Sequence, residues 1–276
     1  MYTRRITATL AMLIGFLLVI PAEARPSRCL AVAQNTPNVI HANFQSTALN
    51  EGEVKLTFVG HSTFLIETPK GVTIATDYTG YAGDSVVPRV VTMNHAHESH
   101  YTDYPDPKIE HVLRGWNPEG GEARYDLEVG DVQIRNVPTD IRTWSGDVEP
   151  FGNSIFIFEV GDLCIGHLGH LHHIPTPQQF GMMGLLDVVL VPVDGSFTLK
   201  LDSMVEVLKT IRARLIIPMH FFGTGTLGSF LERIGTTFEV KSHDSATLVV
   251  SSQTLPKKPT IVVLPGTNII YSPDDD

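Results

Sequence analysis

The segment His95-Ala96-His97-Glu98-Ser99-His100, set directly behind the β-rich run Arg89–Met93, constrains this chain more than any other feature. Where a strand runs out into a loop, residues i and i+2 can aim at one point, and the turn brings i+5 back toward it. A solvated turn often carries one histidine; three at this spacing behind a strand point to a metal site. Neutral imidazole is the commonest metal ligand and suits Zn²⁺, Fe²⁺ or Mn²⁺. Two further elements repeat the arrangement. His167, His170, His172 and His173 follow the apolar run Leu163–Ile165, and Ile216-Ile217-Pro218-Met219 runs into His220. Three strand ends that each deliver histidines describe a site at one edge of a layered β structure.

The periodicity agrees with such a structure. Short β-rich runs come first, at Lys55–Val59, Thr63–Glu67, Val72–Thr76 and Arg89–Met93. Two hairpins follow, one around Gly130-Asp131 with flanks Tyr125–Leu127 and Val132–Val137. The other lies around Gly161-Asp162 with flanks Ser154–Glu159 and Leu163–His167. Strands then alternate with helices: a helix capped by Thr176-Pro177 and ending at Met183, an apolar strand Leu186–Val193, and a helix Leu201–Arg212. After these come a strand Leu215–Met219, a helix near Leu227–Ile234, and strands Ala246–Val250 and Ile261–Leu264. Two packed sheets with helices outside are expected, with no domain boundary after residue 53.

The N-terminus reads as an export signal. Arg4-Arg5 precede an apolar run from Ala8 to Ile20, and Ala22-Glu23-Ala24 follows as an A-x-A cleavage site. Residues 1–24 are therefore expected to be removed, leaving an arm over 25–52 and one domain over 53–276. The expected location is the periplasm or the exterior. The apolar run falls short of the roughly 20 residues that span a bilayer, and no second such run exists, so no integral membrane segment is expected after cleavage. Cys29 is expected in a flexible arm and Cys164 as a small core residue, and a bridge between them is the lesser expectation. The net charge of −10 and the lack of a Lys/Arg cluster exclude an electrostatic nucleic-acid binder.

Taken together, several segments resemble the metallo-β-lactamase superfamily, in the branch of ascorbate-6-phosphate lactonase-like, zinc-dependent hydrolases. They are Phe58–Glu67, Thr76-Asp77, His95–His100, Gly152–Phe156, His167-Leu168-Gly169-His170, Val191–Gly195 and Ile217–His220. The resemblance implies an α/β fold, the αββα sandwich, with metal at one edge. It implies a metal-bound hydroxide that attacks a small ester, lactone, amide or phosphodiester. His95, His97, His100, His170 and His220 are the expected metal ligands. His173 is the candidate proton donor, and His61, Asp77 and Asp140 are residues beside the ligands or substitute ligands.

The departures bear on stoichiometry. The superfamily's first motif is H-x-H-x-D-H, and Ser99 stands in the aspartate's place; His170 stands where a bridging aspartate follows His-Leu-Gly. The branch's histidine near Thr139-Asp140 is absent, leaving Asp140 as the nearest substitute. A neutral imidazole offers one lone pair and cannot bridge two ions, so about one ion per chain, Zn²⁺ or else Mn²⁺ or Fe²⁺, is expected. Two functions are open: a hydrolase of a small-molecule substrate, or a degenerate relative that binds metal or ligand without turnover.

Overall fold

A computed structural model describes residues 27–30, 49–95, 97–235 and 237–266. The export signal, most of the arm and His41 lie outside the described residues. The chain opens with β1 (Val54–Gly60), β2 (Thr63–Glu67), β3 (Thr73–Ala75), β4 (Val90–Met93), a 3-10 turn over Glu98–His100, and β5 (His111–Arg114). Next come β6 (Asp126–Val129), β7 (Val132–Arg142), β8 (Val148–Val160), β9 (Leu163–His167) and α1 (Pro177–Met183). It closes with β10 (Val188–Pro192), α2 (Leu201–Ile211), β11 (Leu215–Met219), α3 (Thr224–Ile234), β12 (Glu239–Ser242), β13 (Thr247–Val250) and β14 (Thr260–Val263). Among the described residues, one sheet has the order β13-β1-β2-β3-β4-β5 and the other β12-β14-β11-β10-β9-β8-β7-β6.

Period-two alternation assigns each strand's two faces to two cores. In β8, Phe156, Phe158 and Val160 enter the core between the sheets, while Ile155 and Ile157 face the helices. In β10, Val188 and Leu190 point one way and Val189 and Val191 the other. Both faces are covered, which is why β10 and residues 155–158 of β8 read as continuous apolar runs. The helical layer is α1, α2 and α3. The capping box of Thr176 and Gln179 starts α1, and α2 buries Met204, Val205, Val207 and Leu208. Over the other sheet the outer layer consists of loops and the 3-10 turn, packed through Tyr78, Ala82 and Ile109 onto Val91 and Met93. The fold is the expected α/β αββα sandwich, with that outer layer reduced.

Two strands have no counterpart in the sequence reading. β5 is only four residues long and half-buried, and every residue of β12 is exposed, so neither carries an apolar signal. The cysteines require a correction. Cys29 and Cys164 form a disulfide, and Cys29 is fully buried. Polar contacts account for the docking of residues 27–30: Ser27 and the Arg28 N–H donate to Glu159, and the Leu185 N–H donates to the Cys29 carbonyl at 2.7 Å. Glu159 in turn accepts from Arg135 Nε at 2.9 Å. Apolar pattern alone could not show this arm to be anchored.

The topology also sets the site's position. β3, β4 and β5 run parallel, as do β9, β10 and β11. The ends of β3, β4, β9, β10 and β11 deliver Asp77, Asn94, His170, Asp194 and His220 to one edge, where ligands of α/β sheets bind.

Candidate metal centre

At that edge, imidazoles from four segments converge. His61 comes from the β1–β2 turn, His100 from the 3-10 turn, His170 from the loop after β9, and His220 from the residue after β11. The candidate ligand atoms of His61, His100 and His220 all lie within 4.8 Å of one another. The rings of His100 and His220 are stacked, 9° from parallel. His170 stands edge-on to His100 and His220, at centroid distances of 4.6 and 4.8 Å. His97 touches His170 at 4.7 Å and lies farther from His100, at 6.3 Å.

A carboxylate orients each of the two central rings. His100 Nδ1 is 2.8 Å from Asp77 Oδ2, and His220 Nδ1 is 3.1 Å from Asp194 Oδ1. A carboxylate at Nδ1 favours the proton on that nitrogen and leaves the lone pair on Nε2. The two Nε2 atoms are 3.1 Å apart, and with both rings protonated on Nδ1 two lone pairs meet in a buried space. His61 Nε2 is also buried and has no hydrogen-bond partner. Three convergent nitrogens with two carboxylates behind them fit a cation.

The electrostatics disfavour protonation of His61, His97, His100 and His170. Burial, with help from His220, pushes His61 down to about 3. Burial likewise lowers His97, and holds His100 and His170 well below the ordinary value of 6.5. Burial raises Asp77 to about 6, partly offset by His167 and by the Asn94 amide that donates to it. Burial also disfavours the Asp194 anion, but His220, Thr198 and the Ser196 N–H outweigh it and hold Asp194 well below the carboxylate range. Asp194 accepts five hydrogen bonds from residues 196–198, besides the His220 ring beside it, and is the better satisfied of the two carboxylates.

Backbone conformation is exacting here. His61, Asp77 and His220 have φ of 49°, 41° and 54°, the left-handed region that side-chain-bearing residues seldom occupy. The His220 N–H donates to the His61 carbonyl at 2.7 Å, tying two of them together. Gly169, at φ 59°, lets the backbone pass against Asn94 and Asn153, where a Cβ would overlap both amides. Those amides are the scaffold: Asn94 joins Asp77 to the Ser154 N–H, and Asn153 accepts from the His170 N–H at 2.8 Å.

Other sequence candidates lie apart from the cluster. His95 turns away, stacking on Trp116 at 5.0 Å with Nδ1 3.2 Å from Glu149. Asp140 accepts from the Phe151 N–H at 3.0 Å within the β7–β8 hairpin. His173 sits beyond His172, with ring centroids 6.4 Å apart and Nε2 unpartnered. Ser99 is exposed. His167, expected as a packed residue, is buried with Nε2 on the Ser62 carbonyl at 2.9 Å. Sequence reasoning missed Asp194, although it follows an apolar strand end just as Asp77 does. It counted His172 among the histidines after β9 but gave it no role; that ring stands behind His170.

The model of the β-lactamase superfamily domain matches residues 55–220, more than half of the chain and the whole span from β1 to His220. The chain belongs to the metallo-β-lactamase superfamily. Within it, a UPF0173 protein of Pyrococcus abyssi is 28% identical over 196 residues, covering 64% of this chain and 89% of that one. A UPF0173 metal-dependent hydrolase of Salinibacter ruber is 24% identical over 222 residues, covering 69% and 94%. Among solved structures, a protein of Thermotoga maritima described as a Zn-dependent hydrolase of the superfamily aligns with a TM-score of 0.56 at 27% identity. It covers 76% of this chain and 98% of its own. Relatives in the superfamily are thus named metal-dependent hydrolases, and this superfamily member retains a histidine site fit for a metal.

Proposed function

We propose that this protein is an exported hydrolase that depends on one divalent ion, Zn²⁺ or else Mn²⁺ or Fe²⁺, and cleaves a small ester, lactone or phosphodiester. The observation that carries the proposal is the 3.1 Å approach of His100 Nε2 to His220 Nε2, each ring backed by a carboxylate at Nδ1. A cation relieves the repulsion between those lone pairs, and His61 Nε2 adds a third donor. Three nitrogen ligands with an open position match catalytic zinc sites. A bound ion supplies activation of water and polarisation of the bond to be broken.

The chain's own residues do the remainder. Asp77 and Asp194 hold the ligand rings in one tautomer and one orientation. Trp144, Phe197 and Phe222 are exposed around His97 and His220, with Phe197 and Phe222 5.6 Å apart, and suit an apolar group on the substrate. A cleft of 280 Å³ opens beside His61, lined by Val59, Thr63, Thr79, Tyr81 and Ser99. Its size suits a small molecule. The Cys29–Cys164 bridge supports export, since disulfides persist in oxidising compartments.

A second reading, binding without turnover, is favoured by the cluster's carboxylates: among the described residues, Asp77 and Asp194 both stand behind ligand rings. Chromogenic esters, lactones and bis-phosphodiesters assayed on zinc-loaded and chelator-treated protein separate the two. The proposal expects turnover of one class, lost on chelation and restored by zinc. Full zinc occupancy with no turnover across the set supports the second reading.

A further inference from the structure

The hydrogen bonds around His170 fix where its proton sits. The Arg142 backbone N–H donates to His172 Nδ1 at 2.7 Å. An amide has only its hydrogen to offer, so His172 Nδ1 must be the bare nitrogen and Nε2 must carry the ring's proton. That Nε2 lies 2.5 Å from His170 Nδ1. His170 Nδ1 is therefore an acceptor, and His170 carries its proton on Nε2. Protonating either ring fully would set two hydrogens against each other at one of these contacts.

His170 Nε2 is buried and has no partner. It belongs to a ring that stands edge-on to His97, His100 and His220, and the His170 backbone is pinned by Asn153. A ring nitrogen that carries a proton has no lone pair for a metal. We infer that His170 is not a ligand but a hydrogen-bond donor aimed at an anionic oxygen of the substrate beside the His61–His100–His220 group. The Arg142–His172–His170 series of hydrogen bonds locks this polarity, so a position expected to hold a metal offers a hydrogen instead. The identity of the oxygen rests on the hydrolase reading; the tautomer does not.

Two-bond nitrogen–proton correlation spectra of protein labelled with ¹⁵N-histidine test this directly, with acetate as the anionic probe and His170→Gln for assignment. His170 should show a pyrrole-type Nε2 and a pyridine-type Nδ1 in both metal-free and zinc-loaded protein. Acetate should move the Nε2 resonance, and His170→Leu should weaken acetate binding on the order of tenfold while zinc affinity holds. A pyridine-type Nε2 on zinc loading, or a Nε2 resonance that acetate leaves unmoved, overturns the inference. Failure of the wild type to take up zinc would sink the metal reading alone, since the metal-free spectrum still decides the tautomer.

Discussion

Removing the Cys29–Cys164 bridge should destabilise the fold by about 2–5 kcal/mol. The bridge spans 135 residues. In the chain-entropy account, opening a loop of that length returns roughly 5 kcal/mol of conformational freedom to the unfolded chain. That is the loss if residues 27–30 stay docked through Glu159 and Leu185. If they detach, the folded state also gains freedom and the loss shrinks toward about 2 kcal/mol, while the buried Arg135–Glu159 pair loses its cover. The Cys29→Ser and Cys164→Ser variants, and the double variant, should therefore unfold at lower denaturant by an amount equal to the effect of reductant on the wild type. Reductant should leave the variants unchanged. A wild type whose midpoint is insensitive to reductant would refute the argument that this bridge anchors the arm.

Gly169→Ala should destabilise by about 1–3 kcal/mol, because its Cβ overlaps Asn94 and Asn153 and φ is 59°; denaturant unfolding reads this, and a neutral outcome would contradict the scaffold role. Metal-free protein should gain stability as pH rises from about 4 to 6.5. His61, down to about 3, and His172, down to about 4, together with His97, His100, His167 and His170, stay neutral when folded but bind protons when unfolded. Asp77, raised to about 6, acts oppositely over that window, one group against six; a melting temperature that falls across it would contradict the sign. Exported protein should begin within a few residues of Arg25, which intact mass determines; retention of residues 1–24 would refute the signal reading.

The sequence made the layered architecture legible because β10, β11 and residues 155–158 of β8 are covered on both faces and read as apolar runs. It also showed Thr176-Pro177 starting a helix, since that cap is a local hydrogen-bonding pattern. It could not show β12, whose side chains are all exposed, or the docking of Cys29, which rests on Glu159 130 residues away in sequence and on a bridge. Convergence of histidines at strand ends was visible, but the direction of each ring was not. Spacing i, i+2 allows His95 and His97 to face one way, yet His97 packs against His170 while His95 stacks on Trp116, a divergence that no spacing shows. His61 reaches the centre because its φ of 49° turns the chain there, a property that no spacing rule encodes.

The central claim is that His61, His100 and His220 hold one ion, and calorimetric zinc titration of His61→Ala beside His95→Ala tests it most directly. Both residues are histidines near strand β1 or β4, so loss of imidazole content alone cannot separate them. Wild type should bind one equivalent. His95→Ala should match it, and His61→Ala should lose one of three ligands and weaken binding by orders of magnitude. Wild-type affinity in His61→Ala, together with loss of binding in His95→Ala, would contradict the account and return the site to the other end of the His95–His100 segment.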